Sequence, residues 1–373
     1  MFTVLMIDDQ EDLIKTVQDE LEDAFEGITF VGCKSFDEAP AFLKKHRPDV
    51  IILDRFEGLP AQGDDKGMGV LKQIWAHWFC PVVVYTAGEA DLKVKEYYGH
   101  PFVAVQTKGA GTPKQVAEKL KEFLPHIAAL TGFTEELESA KRTVLRDLAR
   151  PIFDALTDVS QRTEVLRRAA RRRVAALVDE LQHTDAEQCL PWEQYIFPVL
   201  AKHPIVGDVL RVADSDKNEP ENYRVILTPT CDLVPRGEKP CKATQVLVGK
   251  CVDPKRFVTE GASIAAGTNA VKMKDALKRS MSEPHQSGFV IFPECKGYLP
   301  LMALDLRGLE LIPPGDIGHD GQIGKGYHRI ASVDSPFREY IGWAFLQISC
   351  RPGIPPRDMT ELVASLAALF AKP

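Results

Sequence analysis

The sequence has no apolar segment long enough to span a membrane. Its longest apolar runs, such as residues 50–53 and 81–85, fall far short of the roughly 20 residues that cross a bilayer. The N-terminal segment MFTVLMIDDQ has no basic region, and acidic residues end its short apolar run, which argues against a signal peptide. We therefore expect a cytoplasmic protein that contacts no membrane.

The sequence also has few cysteines and no excess of positive charge. Eight cysteines in 373 residues are too few for a disulfide scaffold, so we expect reduced thiols. The net charge of −7 gives no overall electrostatic case for nucleic-acid binding, although a local basic patch stays open. A composition of 45% hydrophobic and 27% charged residues excludes disordered, collagen-like and purely coiled-coil chains, and the length predicts two or three domains.

The first 125 residues alternate between short apolar runs and amphipathic segments. Strand-like runs cover residues 2–7, 28–32, 49–53, 81–85 and 102–105. Helical spacing of apolar residues covers 11–24, 35–46, 68–78 and 113–124. Continuous apolar strands between amphipathic helices are typical of a parallel sheet that is covered on both faces. We predict an α/β domain over residues 1–125, with a doubly wound five-stranded parallel sheet.

Polar side chains follow four of these strands. Asp8 and Asp9 end the first strand, Asp54 follows the third, Thr86 the fourth and Lys108 the fifth. The carboxyl ends of parallel strands share one edge of the sheet, so we expect these groups to meet there. A single Asp after a strand is usually a cap or turn residue, but an ordered set at four strand ends favours a site.

Three carboxylates at one edge would repel each other unless a divalent cation neutralised them. Ligands that are all oxygen favour Mg²⁺ or Mn²⁺. A carboxylate beside such a cation, with an ammonium and a hydroxyl nearby, is equipped for phosphoryl transfer. The carboxylate can itself accept the phosphoryl group as an acyl phosphate.

This set of residues resembles that of the receiver domains of two-component response regulators, over residues 1–125. The resemblance implies a flavodoxin-like fold in which Asp54 accepts a phosphoryl group from a partner sensor histidine kinase. It implies that Asp8, Asp9, Asp54 and the backbone carbonyl of Phe56 hold the Mg²⁺ ion. Ala87 matches the small residue that leaves room for the phosphoryl group. Such a domain catalyses its own phosphorylation and dephosphorylation, and whether the chain has a separate enzymatic activity stays open.

Two further residues match the receiver pattern, and three features depart from it. Thr86 resembles the switch hydroxyl, and Lys108 resembles the lysine that pairs with the phosphoryl group. Val105 stands where receivers usually carry Tyr or Phe, so the usual aromatic rotamer switch is absent. Gly109 stands where many receivers have proline, and the segment RFEGLPAQGDDKG before the third helix is longer than usual. These departures leave open how the signal leaves the domain.

Residues 126–200 are predicted to form a helical linker or bundle. Apolar stripes at helical spacing run through residues 145–159 and 166–181, and six arginines lie within residues 162–173. Pro151 either opens a new helix or kinks a continuous one, which favours a packed linker over a dimerising stalk. Homodimerisation stays open. We interpret the arginines as a solvated helix face paired with nearby acids, so nucleic-acid binding stays open without being indicated.

Residues 201–373 are predicted to form a β-rich α+β output domain of unknown function. Short β-like runs, separated by proline and glycine, indicate a small antiparallel sheet or barrel. One stretch, from HPIVGDVLRV to LTPTCDL, resembles the small barrel of toxin-type growth inhibitors that cleave RNA. Cys231 and Asp232 follow a predicted strand in that stretch and form a candidate output site.

The cysteines of this domain permit more than one interpretation. A Cys231 nucleophile needs a base, and His203, His285 and His328 are the candidates. Four cysteines also raise the question of zinc, but the usual short CxxC pairs are missing, which favours buried apolar thiols. The four are Cys231, Cys241, Cys251 and Cys295.

The function that we predict from the sequence is that of a response regulator whose receiver controls the C-terminal module. One alternative is a receiver-regulated effector enzyme whose toxin-like barrel acts on RNA. Another is a scaffold whose receiver binds partners without switching.

Overall fold

The structure is a computed structural model that describes residues 2–57, 66–87, 99–109, 111–182, 189–235, 237, 239–318, 325–350 and 358–370. The chain divides into two compact units, Met1–Ala186 and Glu187–Pro373. Among the helices of these described ranges, none combines the length and the apolar character that crossing a membrane requires. The sequence-based division at residues 125 and 200 stays a prediction.

The first unit contains a five-stranded parallel sheet and two long helices that follow it. Its strands are β1 (Phe2–Ile7), β2 (Ile28–Cys33), β3 (Val50–Leu53), β4 (Val82–Thr86) and β5 (Val103–Thr107). Its helices are α1 (Glu11–Ala24), α2 (Ala39–His46), α3 (Lys66–His77), α4 (Thr112–Ala155) and α5 (Val159–Gln182). The parallel strand order β2-β1-β3-β4-β5 is the flavodoxin-like order, so the predicted fold class is confirmed.

Apolar layers cover both faces of this sheet. Because side chains alternate along a strand, Val4 and Met6 of β1 face one way and Leu5 and Ile7 the other. The first face packs on α1 and α4, and the second packs on α2 and α3. All residues of β3 and β4 are buried, as continuous VIIL and VVVYT runs require.

Helix α4 is much longer than the sequence analysis predicted. We expected it to end at Leu124, but it continues through Pro125 and Pro151 to Ala155. An interior proline destabilises a helix by about 3 kcal/mol or more. Packing offsets that cost, because α5 folds back on α4 around a second apolar cluster that includes Val144 and Leu148 of α4. The hypothesis that a new helix opens at Pro151 is therefore wrong.

The second unit is built on a seven-stranded antiparallel sheet with the order β10-β11-β9-β8-β7-β12-β6. Its strands are β6 (Tyr195–Ile196), β7 (Asp208–Val212), β8 (Tyr223–Ile226), β9 (Val246–Val252), β10 (Phe289–Phe292), β11 (Met302–Ile312) and β12 (Tyr327–Val333). Its helices are α6 (Thr230–Leu233), α7 (Pro254–Arg256), α8 (Ala270–Ser282), α9 (Pro284–Ser287), α10 (Phe337–Ser349) and α11 (Thr360–Phe370). This arrangement confirms the predicted β-rich α+β class.

The sheet of the second unit curls until its two edge strands approach each other. The Tyr195 hydroxyl of β6 donates to the carbonyl of Pro293, just beyond β10, at 2.9 Å. The Tyr195 ring also packs 6.2 Å from the ring of Phe292, measured between centroids. The sequence did not decide between an antiparallel sheet and a barrel. The described strands form this curled sheet.

Two details of this sheet differ from the sequence-based expectation. The sequence shows two apolar runs, 299–304 and 309–312, but residues 302–312 form one strand, β11, whose register shifts between Asp305 and Leu309. The sequence analysis also missed β12, which pairs with both β7 and β6. Its central residues Arg329 and Ile330 interrupt an alternating pattern at another register shift, so the period-2 signal is weak there.

A buried ion pair fixes β12 against the turn before β7. The Asp208 carboxylate is fully buried and accepts from Arg329 Nε at 2.9 Å and from the Ser332 hydroxyl at 2.5 Å. It also accepts from the backbone N–H of Ile205 at 3.0 Å. Burial raises the pKa of Asp208, while the arginine and the hydrogen bonds oppose that rise. The carboxylate is therefore tolerated in the interior only with its arginine in place.

Replacing Arg329 with Met should destabilise the second unit by about 3–5 kcal/mol, because it leaves a buried carboxylate without its cation. Hydrogen exchange of the β7 and β12 amides in the full chain would measure the change. The control is Arg279→Met, which removes an exposed arginine paired at 3.7 Å with Glu283. Equal protection in the two variants would contradict the structural role of the buried pair.

Candidate functional site

Four strand ends bring the predicted site residues to one edge of the parallel sheet. Asp8 follows β1, Asp54 follows β3, Thr86 ends β4, and Lys108 lies one residue beyond β5. Backbone hydrogen bonds continue the sheet there, from Asp54 N–H to the Ile7 carbonyl at 2.9 Å and from Lys108 N–H to the Thr86 carbonyl at 2.8 Å. The side chains of the site are thus attached to ordered backbone on neighbouring strands.

The Lys108 ammonium bridges two of the acids. Its Nζ lies 2.6 Å from Asp54 Oδ2 and 2.7 Å from Asp8 Oδ2, and only 9% of its side chain is exposed. Burial alone would lower the pKa of Lys108, but hydrogen bonds and charge from the two carboxylates outweigh it and raise that pKa. Burial also raises the pKa of Asp8, against the opposing effect of Lys108.

Asp9 joins these two acids in a candidate cation site. Asp8, Asp9 and Asp54 each offer one carboxylate oxygen, and these three atoms lie within 4.8 Å of one another. Among the described residues, this is the one group of three or more Asp, Glu, His or Cys side chains that lie close enough together to hold a metal ion. Three ionised carboxylates and one ammonium leave a local charge of about −2. An all-oxygen donor set with that charge fits Mg²⁺ or Mn²⁺.

Backbone amides hold the remaining carboxylate oxygens in place. Asp8 Oδ1 accepts from the N–H of Gln10 at 3.0 Å, and Asp54 Oδ1 accepts from the N–H of Arg55 at 2.6 Å. Phe56 is half-buried, and its ring lies 4.8 Å from the Arg55 guanidinium carbon. Each of the two buried acids therefore has one oxygen on the backbone and the other on Lys108.

Thr86 presents a buried hydroxyl whose Oγ has no hydrogen-bond partner among the described residues. An unsatisfied buried hydroxyl costs about 1–3 kcal/mol, so its retention points to a ligand atom that would satisfy it. The next residue, Ala87, is exposed, and its side chain is only a methyl group.

The sequence analysis missed Gly67, which lies in the first turn of α3. Its N–H donates to the carbonyl of Arg55 at 3.0 Å. A Cβ at this position would collide with the Asp54 carbonyl oxygen and lie 2.7 Å from the Arg55 Cα. Only glycine allows α3 to begin so close to the backbone of the proposed phosphoryl acceptor. The glycines in the segment KGMG were the signal in the sequence, but their spacing alone does not indicate this contact.

A contact between the hydroxyls of Tyr85 and Thr112, at the start of α4, was not predicted from the sequence. The Tyr85 ring is fully buried, and its hydroxyl lies 2.7 Å from Thr112 Oγ1. The same Thr112 oxygen accepts from the N–H of Gly109, the residue after Lys108, at 3.0 Å. Val105 is half-buried on β5 and packs on the face covered by α2 and α3. An aromatic hydroxyl therefore contacts the first turn of α4, but it comes from β4 rather than β5.

The four cysteines considered as zinc ligands differ in exposure. Cys231 is exposed in α6, with its Sγ 3.7 Å from Asp232 Oδ1, and Lys242 lies 3.5 Å from the same carboxylate. Cys251 is buried in the core, and burial raises its pKa to about 12. Cys241 and Cys295 are half-buried.

The three histidines proposed as bases each have a contact with another residue. His285 packs against the Trp343 ring at 5.4 Å between centroids, and His328 lies opposite Arg211 on the neighbouring strand. The carbonyl of His203 accepts from Arg329 at 3.1 Å. A catalytic role for Cys231 and Asp232 stays a prediction.

Replacing Gly67 with Ala should displace Asp54 and weaken divalent-cation binding about tenfold or more, because the added methyl group needs space that the Asp54–Arg55 backbone fills. The binding constant of Mn²⁺, from the paramagnetic broadening of site resonances in the full chain, would measure the loss. The control is Gly69→Ala on the same helix, where nothing lies within 4 Å of the new Cβ. Equal affinities in the two variants would contradict the assigned contact.

Solved structures similar to this chain match about a third of its length. The chemotaxis protein CheY4 of Vibrio cholerae is 26% identical with a TM-score of 0.27, and the match covers 33% of this chain and 99% of CheY4. The response regulator domain of Thermotoga maritima CheB is 25% identical with a TM-score of 0.27, covering 34% and 96%. TrrA of Thermotoga maritima, in complex with Mg(2+)-BeF, is 21% identical with a TM-score of 0.28, covering 33% and 100%.

No protein-family model matches this chain, and no curated protein matches it. The structural similarities leave about two thirds of the chain unassigned. Over about a third of its length, this chain is similar to response-regulator receiver domains.

Proposed function

We propose that this protein is a response regulator that accepts a phosphoryl group on Asp54 from a partner histidine kinase. The observation that carries the proposal is the bridging of the Asp54 and Asp8 carboxylates by Lys108, with Asp9 close to both acids. The Thr86 hydroxyl, at the same edge of the sheet, has no hydrogen-bond partner among the described residues. A helix cap or turn would use one acid, whereas here side chains that follow β1, β3 and β5 contact each other, and Thr86 ends the strand between β3 and β5. Phosphoryl transfer uses each of these groups.

The reaction is a transfer between two side chains. A carboxylate oxygen of Asp54 attacks the phosphorus of a phosphohistidine, so a P–O bond forms as the P–N bond breaks and its electron pair returns to the imidazole nitrogen. Asp8, Asp9, Asp54 and the backbone carbonyl of Phe56 would hold the divalent cation. When bound, the cation supplies positive charge that offsets the three carboxylates and the phosphoryl oxygens.

Lys108 and Thr86 would then bind the product. A phosphorylated Asp54 carries its new negative charge on the phosphoryl oxygens, so the Lys108 ammonium moves its contact from the carboxylate to one of them. The Thr86 hydroxyl donates to another oxygen and gains a hydrogen-bond partner, which none of the described residues provides. Phosphorylation therefore changes the contacts of two residues that end neighbouring strands.

We infer that the signal leaves the receiver through α4. Lys108 is followed directly by Gly109, which bonds to Thr112 in the first turn of a 44-residue helix. The Tyr85 hydroxyl, next to Thr86 in the chain, contacts the same Thr112 oxygen. A shift of Lys108 or Thr86 thus reaches the N-terminus of α4, whose distant half packs on α5. This route replaces the aromatic switch that Val105 cannot provide.

Incubation of the full chain with acetyl phosphate and Mg²⁺ should add one phosphoryl group to Asp54. Intact-mass spectrometry would show one phosphoryl mass on the native chain and on Asp23→Asn, an exposed acid of α1. We expect no addition to Asp54→Asn or in the presence of EDTA. A native chain that stays unmodified, while binding partners, would reject the switching function in favour of the scaffold alternative.

Replacing Tyr85 with Phe should leave phosphorylation of Asp54 intact but uncouple it from α4. The change removes one hydrogen bond worth about 1 kcal/mol and keeps the buried ring. Hydrogen exchange of the α4 amides, with and without beryllofluoride and Mg²⁺, would measure the coupling. Tyr340→Phe, which removes a hydroxyl that donates to the Met281 carbonyl, is the matched control. A Tyr85→Phe response equal to that of the native chain would show that the signal takes another route.

A further inference from the structure

The second unit contains a cleft of about 500 Å³ between residues 197–202 and strands β7 and β12. Five basic side chains contribute to its lining, and in the described part of the chain no carboxylate does. The five are Lys202, Arg211, Lys217, His328 and Arg329. A cleft with charge of one sign concentrates ligands of the other sign. The chain as a whole is acidic, so this local excess of positive charge is not a consequence of composition.

One of the five is already neutralised. Arg329 forms the buried pair with Asp208 and therefore serves the fold. Lys202 and Lys217 are exposed at the cleft, and the nearby Asp216 carboxylate is turned into its own loop, where it accepts from the N–H and side-chain amide of Asn218. The lysines and Arg211 thus keep positive charge available to a ligand.

Arg211 supplies a second, independent observation. Its Nε is buried but has no hydrogen-bond acceptor among the described residues, although the guanidinium also contacts the Tyr223 hydroxyl. Arginine donates in a fixed fork that matches phosphate and carboxylate oxygens. A buried donor on a residue that lines a basic cleft, with no acceptor among the described residues, points to an anionic group of a ligand.

Two aromatic rings lie beside these basic groups. Phe197 and Tyr298 pack with ring centroids 4.2 Å apart, yet they stay 43% and 52% exposed. Leu200 on the same wall is 79% exposed. Exposed aromatic faces next to arginine and lysine are the means by which proteins bind a planar base together with its phosphate.

We propose that this cleft binds a mononucleotide, with the base stacked on the Phe197–Tyr298 pair and the phosphate held by Arg211, Lys202 and Lys217. The basic groups are gathered in one cleft, which suits a single nucleotide, whereas a polymer is bound by a groove that follows its backbone. The proposal is independent of phosphorylation at Asp54.

The test is titration of the full chain with AMP, GMP, CMP and UMP by isothermal calorimetry. We expect saturable binding at one site by at least one of these nucleotides, and about tenfold or more weaker binding of ribose 5-phosphate, which lacks the base. Lys202→Gln, Lys217→Gln and Arg211→Gln should each weaken nucleotide binding about tenfold, as expected for loss of a charge-assisted contact. Lys272→Gln, an exposed lysine of α8, should have no effect.

The aromatic contact has its own pair of variants. Tyr298→Ala should weaken nucleotide binding about tenfold, while Tyr298→Phe keeps the ring and should bind like the native chain. Circular dichroism of each variant separates lost binding from lost folding, and the two exposed lysines are the variants least able to perturb the fold.

Four results would overturn the proposal. The first is the absence of saturable binding by all four nucleotides, and the second is equal affinity for ribose 5-phosphate. The third is that Lys202→Gln and Lys217→Gln bind as tightly as the Lys272→Gln control. The fourth is binding of a ten-nucleotide single-stranded RNA that Lys217→Gln weakens while no mononucleotide binds, which would identify a strand-binding surface instead.

Discussion

The carboxyl edge of the first unit depends on one buried ammonium group. Lys108 contacts Asp54 at 2.6 Å and Asp8 at 2.7 Å, in a place where two carboxylates without a cation would repel each other. The lysine thereby allows the ends of β1, β3 and β5 to come together. It is also the residue from which the chain turns into α4. The electrostatic balance of the acid cluster and the start of α4 therefore depend on the same short segment, through the side chain of Lys108 and the backbone of Gly109.

This edge of the sheet keeps excess negative charge, a buried hydroxyl and a glycine where a larger side chain would not fit. Lys108 balances only one of three carboxylates, the Thr86 hydroxyl is buried with no partner among the described residues, and Gly67 keeps α3 against the backbone of Asp54. A region selected for stability alone would fill or pair these positions, because unpaired buried polar groups are costly. Their retention is the physical reason for our proposal that this edge binds a cation and accepts a phosphoryl group.

The second unit uses positive charge in two distinct ways. Arg329 is committed to Asp208, and their pair fastens β12 to β7 in the interior. Arg211, Lys202 and Lys217 line the neighbouring cleft, to which no carboxylate of the described residues contributes, beside two half-exposed rings. Arg329 therefore stabilises the sheet, whereas the other three basic side chains can hold a ligand.

Local patterns in the sequence determined the parallel sheet and most of the candidate site. Continuous apolar runs such as VIIL and VVVYT require burial on both faces, and each polar residue that ends such a run must lie at the common edge. The tertiary structure alone decided the rest. Gly67 meets Asp54, Tyr85 meets Thr112, and Phe197 meets Tyr298 across 13, 27 and 101 positions of sequence, with no periodic signal. The length of α4 was decided in the same way, because Phe123 and Ile127 pack on the sheet on either side of Pro125, and the residues around Pro151 pack on α5.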